Sequence, residues 1–169
     1  MCIRDRFDAI ATGVSTFCGQ NLGAGKTDRI KKGILQGVFV GMAYGLVAGI
    51  VLIFFGRTLT LLFVKPSATA VLDASAKYLR CLGFFYWSLG ILNTCRMTTQ
   101  GLGYSGRAIL SGAVEMAARC FVSLALVPIF HFDAICFADQ SAWITATLYI
   151  VPTCLLVVRS IEKKRKECK

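Results

Sequence analysis

The stretch GILQGVFVGMAYGLVAGIVLIFFG, residues 33–56, decides the fold. It contains no charged side chain, and at about 1.5 Å of rise per residue it is long enough to cross a hydrocarbon core of about 30 Å as a helix. Gly33, Gly37, Gly41, Gly45 and Gly49 recur at every fourth position and so lie along one narrow stripe. In water each of them would cost the helix roughly 1 kcal/mol relative to alanine. In lipid such a stripe lets a second helix backbone approach closely. The stretch therefore predicts a membrane-spanning helix whose glycines serve helix packing rather than ligand contact, and which needs a partner.

The composition of the whole chain agrees. Hydrophobic residues make up 56% of it and charged residues 17%, against roughly 25% charged in soluble domains. A soluble protein this apolar would need a larger core than a chain of 169 residues supplies. The net charge of +10 is gathered at the ends of apolar runs, above all at Arg29, Lys31 and Lys32 and in the stretch from Arg159 to Lys169. That is the distribution of cytoplasmic loops in membrane proteins. A nucleic-acid binder would interleave its cations with exposed aromatics on one face, so no nucleic-acid partner is expected. The eight cysteines include no CxxC pair, and Cys81, Cys95, Cys120 and Cys154 fall inside apolar runs. They read as small hydrophobic residues, with neither a metal site nor a disulfide framework.

Upstream of the first span, GQNLGAGKTDRIKKG (19–33) reads as a turn. Gly19, Gly23 and Gly25 break the preceding helix, while Thr27 or a neighbour caps the next and Asp28 suits its first turn. GAGKT resembles the end of a phosphate-binding loop, but the leading glycine would have to stand at Gln20 and no strand precedes it, so ATP binding is not expected. Residues 9–18, AIATGVSTFC, are too few to cross a bilayer and are expected to be the inner end of a helix that begins earlier. The opening MCIRDR back-translates to a run resembling a sequencing-library adapter, and residues 1–6 are set aside as a scar.

Downstream, residues 57–67 form a short outer segment in which Pro66 stops any helix. A second span is expected from Tyr78 to Leu102, followed by a turn at Gly101, Gly103 and Gly106. A third runs from Arg107 to Phe130 and a fourth from Ala134 to Val158, with Pro152 as a kink. The basic SIEKKRKECK then closes the chain, so residues 7–160 are the membrane body and 161–169 a basic tail. The expected fold is all-α, a polytopic bundle of about four full transmembrane helices plus the end of another. Alternation of spans puts 19–32, 103–107 and the tail on the side rich in lysine and arginine, which predicts a cytoplasmic C-terminus.

Ionisable residues at bilayer depth mark ion and substrate pathways by default. Glu115 and Arg119 lie four apart with the acid first, the better order for a pair along one helix face, so they are either a pathway or a structural pair. Arg96 lies near the inner end, where it is expected to snorkel to the headgroups. Asn93 and Gln100 are expected to be interhelical hydrogen-bond partners. Asp139 sits in the outer third of its span, where hydration from outside would support it. His131, at an outer end without convergent partners, reads as an interfacial residue, and nothing catalytic is indicated.

GVSTFCGQNLGAGKTDRIKKG, NTCRMTTQGLGYSGRA, SGAVEMAARCF and FADQSAW, in that order, resemble the C-terminal half of multidrug and toxic compound extrusion (MATE) transporters over residues 8–160. The resemblance implies one lobe of a bundle of about twelve helices, holding the end of the eighth helix and the ninth to twelfth. It implies a cation-coupled antiporter (H+ or Na+) that exports drugs or organic metabolites by alternating access, without a resident cofactor. Its partners would be the lipid bilayer, a missing N-terminal lobe of the same chain and a small organic substrate. Its location would be the plasma membrane. Some branches of the family carry an acidic cation ligand in the tenth helix. Here WSLGI (87–91) has none, so the coupling carboxylate is expected in the facing lobe or the seventh helix. Two alternatives remain at this point: a lipid or lipid-linked saccharide flippase of the same superfamily, suggested by Arg96 and Arg119, and a non-transporting scaffold built on the glycine stripe.

Overall fold

The computed structural model describes residues 2–61 and 68–167, and every element among them is helical. The expected outer turn at Lys65-Pro66 lies outside the described residues. Helix α1 spans Cys2–Gly23, α2 Thr27–Leu61, α3 Thr69–Gly101 and α4 Ser105–Phe121. A π-helical turn, Val122–Leu126, joins α4 to the short α5, Val127–Phe130, and α6 runs over Phe132–Glu167. Successive long helices are antiparallel, so the α1–α2 turn, the α3–α4 turn and the C-terminal end of α6 share one end of the bundle, here called the basic end.

Among the described residues, three segments are both long and apolar enough to cross a membrane: Thr27–Leu61, Ser105–Ile129 and Ala134–Glu167. Their exteriors show why. Phe54, Leu35, Leu124 and Leu148 are each more than 70% exposed, an arrangement that water would punish and lipid accepts. The fourth expected span, α3, has ample length at 33 residues but less apolarity. It is the central helix, packed against α1, α2, α4 and α6, and it buries Ser88, Asn93, Thr94, Thr98 and Thr99. Several of these are satisfied at once by the helix itself. The Thr94 hydroxyl donates to the Gly90 carbonyl at 2.8 Å and that of Thr99 to the Cys95 carbonyl at 2.7 Å. Polarity in α3 is therefore turned inward rather than towards lipid.

The glycine stripe of α2 meets its neighbours within this chain. A Cβ on Gly41 would stand 3.1 Å from the Gly90 carbonyl oxygen, and one on Gly45 2.8 Å from that of Tyr86. Gly83 and Gly90 of α3 answer with the same feature, a Cβ on Gly83 reaching within 2.8 Å of the Gly49 carbonyl oxygen. Towards the basic end the stripe passes onto α1, where Gly33 faces the Phe17 ring. Side chains complete the core. Phe7 packs edge-on against Tyr44 and Tyr86 at centroid distances of 4.9 and 5.6 Å, and Tyr86 against Trp143 at 5.9 Å. This aromatic chain ties α1, α2, α3 and α6 together.

Several boundaries differ from expectation for local reasons. Residues 9–18 do lie in a helix that begins earlier, the 22-residue Cys2–Gly23, but its inner end falls later than expected. Gly19 does not break it. Gly19 lies in the helix where α1 crosses α3, with its Cβ position 3.4 Å from the Gly101 carbonyl oxygen. The turn is made instead by Gly25, whose φ of 70° is left-handed. The α3–α4 turn depends in the same way on Gly103, φ 90°, whereas Gly101 and Gly106 are helical. Basic residues 163–166 continue α6 instead of leaving it as a tail, and Lys164, Arg165 and Lys166 occupy its last turn, where cations favour the helix dipole. Pro128 is answered by the π turn just before it. The Val127 N–H reaches back five residues to the Val122 carbonyl, a widening that accommodates a ring with no N–H to donate.

Candidate functional site

Helix α4 presents Ser111, Glu115 and Arg119 at four-residue intervals, hence on one face. Ser111 and Glu115 are buried there. That face meets α3 near the basic end and α6 further out. From α3, Arg96 turns inward. Its Nε donates to the Ser111 hydroxyl at 2.8 Å and its Nη2 to Glu115 Oε2 at 2.6 Å. The other carboxylate oxygen, Oε1, accepts from Arg119 Nη2 at 3.0 Å. Arg119 Nε in turn lies 3.1 Å from Asp139 Oδ1 on α6, and the Tyr78 hydroxyl donates to Asp139 Oδ2 at 2.6 Å. A single file of side chains, Ser111–Arg96–Glu115–Arg119–Asp139–Tyr78, thus passes from α3 through α4 and α6 and back to α3.

Tyr78 and Arg96 are eighteen residues apart on α3, about 27 Å of helical rise. The two ends of the file are therefore anchored on α3 at points separated by nearly the thickness of a hydrocarbon core of about 30 Å. It holds two guanidiniums and two carboxylates, so its charges cancel. Glu115 is the hub, with its side chain only 11% exposed and both oxygens engaged by arginine. A carboxylate at bilayer depth is tolerated on those terms. The Arg119–Asp139 link is of another kind. The two groups are at ion-pair distance, yet the buried Nε of Arg119 has no hydrogen-bond partner among the described residues. Its proton is not aimed at the carboxylate, which makes this the loosest joint in the file.

Two expectations are corrected here. Arg96 does not snorkel to the headgroups, because Glu115 and Ser111 offer a bidentate partner inside the bundle. Asp139, whose side chain is 28% exposed, is in addition held by Tyr78 and paired with Arg119. Asn93 is buried but stands apart from the file, its Nδ2 donating to Asp8 Oδ1 at 3.0 Å across α1 and α3. Gln100 is the other corrected expectation, since its side chain makes no interhelical hydrogen bond among the described residues. It is exposed at the end of α3, where its backbone carbonyl accepts from Gly103 N at 3.0 Å. His131 occupies the α5–α6 turn with a left-handed φ of 48°.

Three participants were missed by sequence reasoning. Tyr78 looked like a span boundary. The Ser111 signal was the same four-residue spacing that joined Glu115 to Arg119. Asp8 could have been noticed as a lone carboxylate beside a buried aromatic, Phe7. On α6, Gln140 and Trp143 lie within four residues of Asp139 and are both buried. The Gln140 amide atoms and the Trp143 Nε1 are buried without a hydrogen-bond partner among the described residues. No three His, Cys, Asp or Glu side chains converge in the described residues in a way that would hold a metal.

A helical bundle with an apolar exterior and an internal file of paired charges is a multi-pass membrane protein. A family profile described as MatE matches residues 8–122, more than half of the chain. The chain belongs to the MatE family, whose members are membrane transporters and not enzymes. Comparison with curated proteins and with solved structures gave no match.

Proposed function

We propose that the protein is a lobe of a cation-coupled antiporter in the plasma membrane, exporting small organic compounds in exchange for H+ or Na+. The polar file along α3 carries this reading. A cation that reaches Asp139 competes with Arg119 at the loosest joint. Freed from Asp139, Arg119 leans wholly on Glu115, and Glu115 shifts its hold on Arg96. In this way occupancy at the outer end alters the contacts between α3 and α4 near the basic end. A ligand shifts a conformational equilibrium only through such differential contacts. The cancelled charges of the file favour this over a flippase with a cationic cavity, since Arg96 and Arg119 are both neutralised. The basic end faces the cytoplasm by its excess of lysine and arginine, and a second lobe completes the substrate cavity.

The test uses everted vesicles carrying the transporter. Addition of an organic cation such as ethidium is expected to dissipate an imposed proton or sodium gradient. Asp139→Asn and Glu115→Gln should each reduce that coupled flux at least tenfold and change its dependence on pH or Na+. Unaltered ion dependence in both variants would remove the file from the coupling path. Transport indifferent to either gradient would refute antiport itself.

A further inference from the structure

At the basic end a cleft of about 480 Å3 opens between α2 and α6, with α3 as its floor. That volume lies within the range of about 300–1,000 Å3 typical of small-molecule sites. Its walls are apolar: Ile34 and Val38 from α2, Ile91 from α3, Val151 and Leu155 from α6. Its mouth is not. Lys31 and Arg159 stand on opposite lips, both exposed. Lys31 Nζ is paired with Glu162 Oε1 at 2.6 Å, whereas Arg159 has no hydrogen-bond or ion-pair partner among the described residues. Beyond the mouth, Lys26, Arg29, Arg165 and Lys166 line an adjoining cavity that shares Lys31.

We propose that this cleft binds an anionic phospholipid, its acyl chain between α2 and α6 and its phosphate between Lys31 and Arg159. The shape of the site requires both halves of such a ligand. An apolar slot with a cationic lip at one end of a membrane helix bundle matches an amphiphile that is negative only at its head. Arg159 supplies the specificity, because an unpaired guanidinium offers a fork of donors suited to phosphate oxygens. Lys31 adds a second charge, shared with Glu162. Zwitterionic lipid enters the same slot, but its own ammonium competes with these cations at the lip. The site uses a different face of α3 from the one that meets α4 in the polar file, and the inference does not depend on the transport reading.

The test is native mass spectrometry of the delipidated protein with phosphatidylglycerol or phosphatidylcholine of matched chains. Each cation near a headgroup is worth about fivefold in affinity, so a preference for phosphatidylglycerol of roughly 25-fold is expected. Arg159→Gln, at an exposed and unpaired position, should lower that preference about fivefold. Lys31→Gln with Arg159→Gln should abolish it. Leu155→Trp, which narrows the slot, should weaken both lipids. Glu162→Gln removes the Lys31 salt bridge while leaving both cations, so the preference should persist or grow. Equal binding of the two lipids by the native protein would overturn the proposal, as would an undiminished preference in Arg159→Gln or its loss in Glu162→Gln. Displacement of bound lipid by inorganic phosphate or glycerol 3-phosphate alone would show an anion site without an acyl-chain slot, and would overturn it too.

Discussion

Gly45 offers the sharpest test of how α2 and α3 are held together. A methyl group there would meet the Tyr86 carbonyl oxygen at 2.8 Å and the Trp87 Cα at 2.9 Å, both backbone atoms. No rotamer change can relieve such contacts, so the two helices must move apart by roughly half an ångström. Overpacking of this kind costs about 1–3 kcal/mol. Alanine also favours the helix by about 1 kcal/mol over glycine, which masks part of the effect. Gly112 on α4 provides the reference, because a Cβ there meets nothing within 4 Å. Gly112→Ala should therefore stabilise by about 1 kcal/mol, while Gly45→Ala should fall below it by about 1–3 kcal/mol, since the propensity gain cancels in the comparison. At about 2–4 °C per kcal/mol for a chain of this size, the two variants should differ by several degrees. Size-exclusion thermostability in detergent measures that gap. Gly33→Ala should fall between them, because its close neighbour is the half-exposed Phe17 ring, which can rotate away. If Gly45→Ala matches Gly112→Ala, or proves more stable than Gly33→Ala, the stripe is not held by backbone contact.

Other substitutions probe the file and the turns. Glu115→Gln leaves Arg96 and Arg119 without their shared carboxylate and should cost about 3–5 kcal/mol, read as a lower melting temperature; a loss below 1 kcal/mol would mean the pairs are hydrated and interchangeable. Gly103→Ala meets no neighbouring atom but must hold a φ of 90°, so a loss of about 1–2 kcal/mol is expected from backbone strain alone, and Gly103→Asn should recover part of it. Gln140→Met replaces a buried amide that has no partner among the described residues with an apolar side chain of similar size. It should stabilise by about 1 kcal/mol, and a clear destabilisation would show that the amide is engaged in the native protein.

The transmembrane character was legible because it depends on composition along one helix at a time. Residues 33–56 announce a span whatever surrounds them, and the four-residue repeat of Gly33 to Gly49 announces a helix approaching closely. The Glu115–Arg119 pair was legible for the same reason, since a helix sets that geometry locally. The left-handed demand at Gly25 and Gly103 is local as well. Gly19 and Gly101 look no different in sequence, yet they serve the crossing of α1 and α3, a place defined by two helices and not by one.

The destinations of Arg96 and Asp139 depended on the tertiary structure alone. An arginine near a helix end can reach the headgroups or turn inward, and its long side chain makes both accessible. The choice follows from whether a desolvated carboxylate stands within reach, and Glu115 does so only because α3 and α4 pack with that register. Asp139 is likewise held by Tyr78 and Arg119 from two other helices, and Asp8 acquires a role only where α1 brings it to Asn93. Periodicity and charge clustering determined which segments enter the membrane, because the bilayer acts on each helix separately. The pairing of buried charges was decided by packing, because a Coulomb contact of about 3 Å exists only once neighbouring helices have set the depth and rotation of both partners.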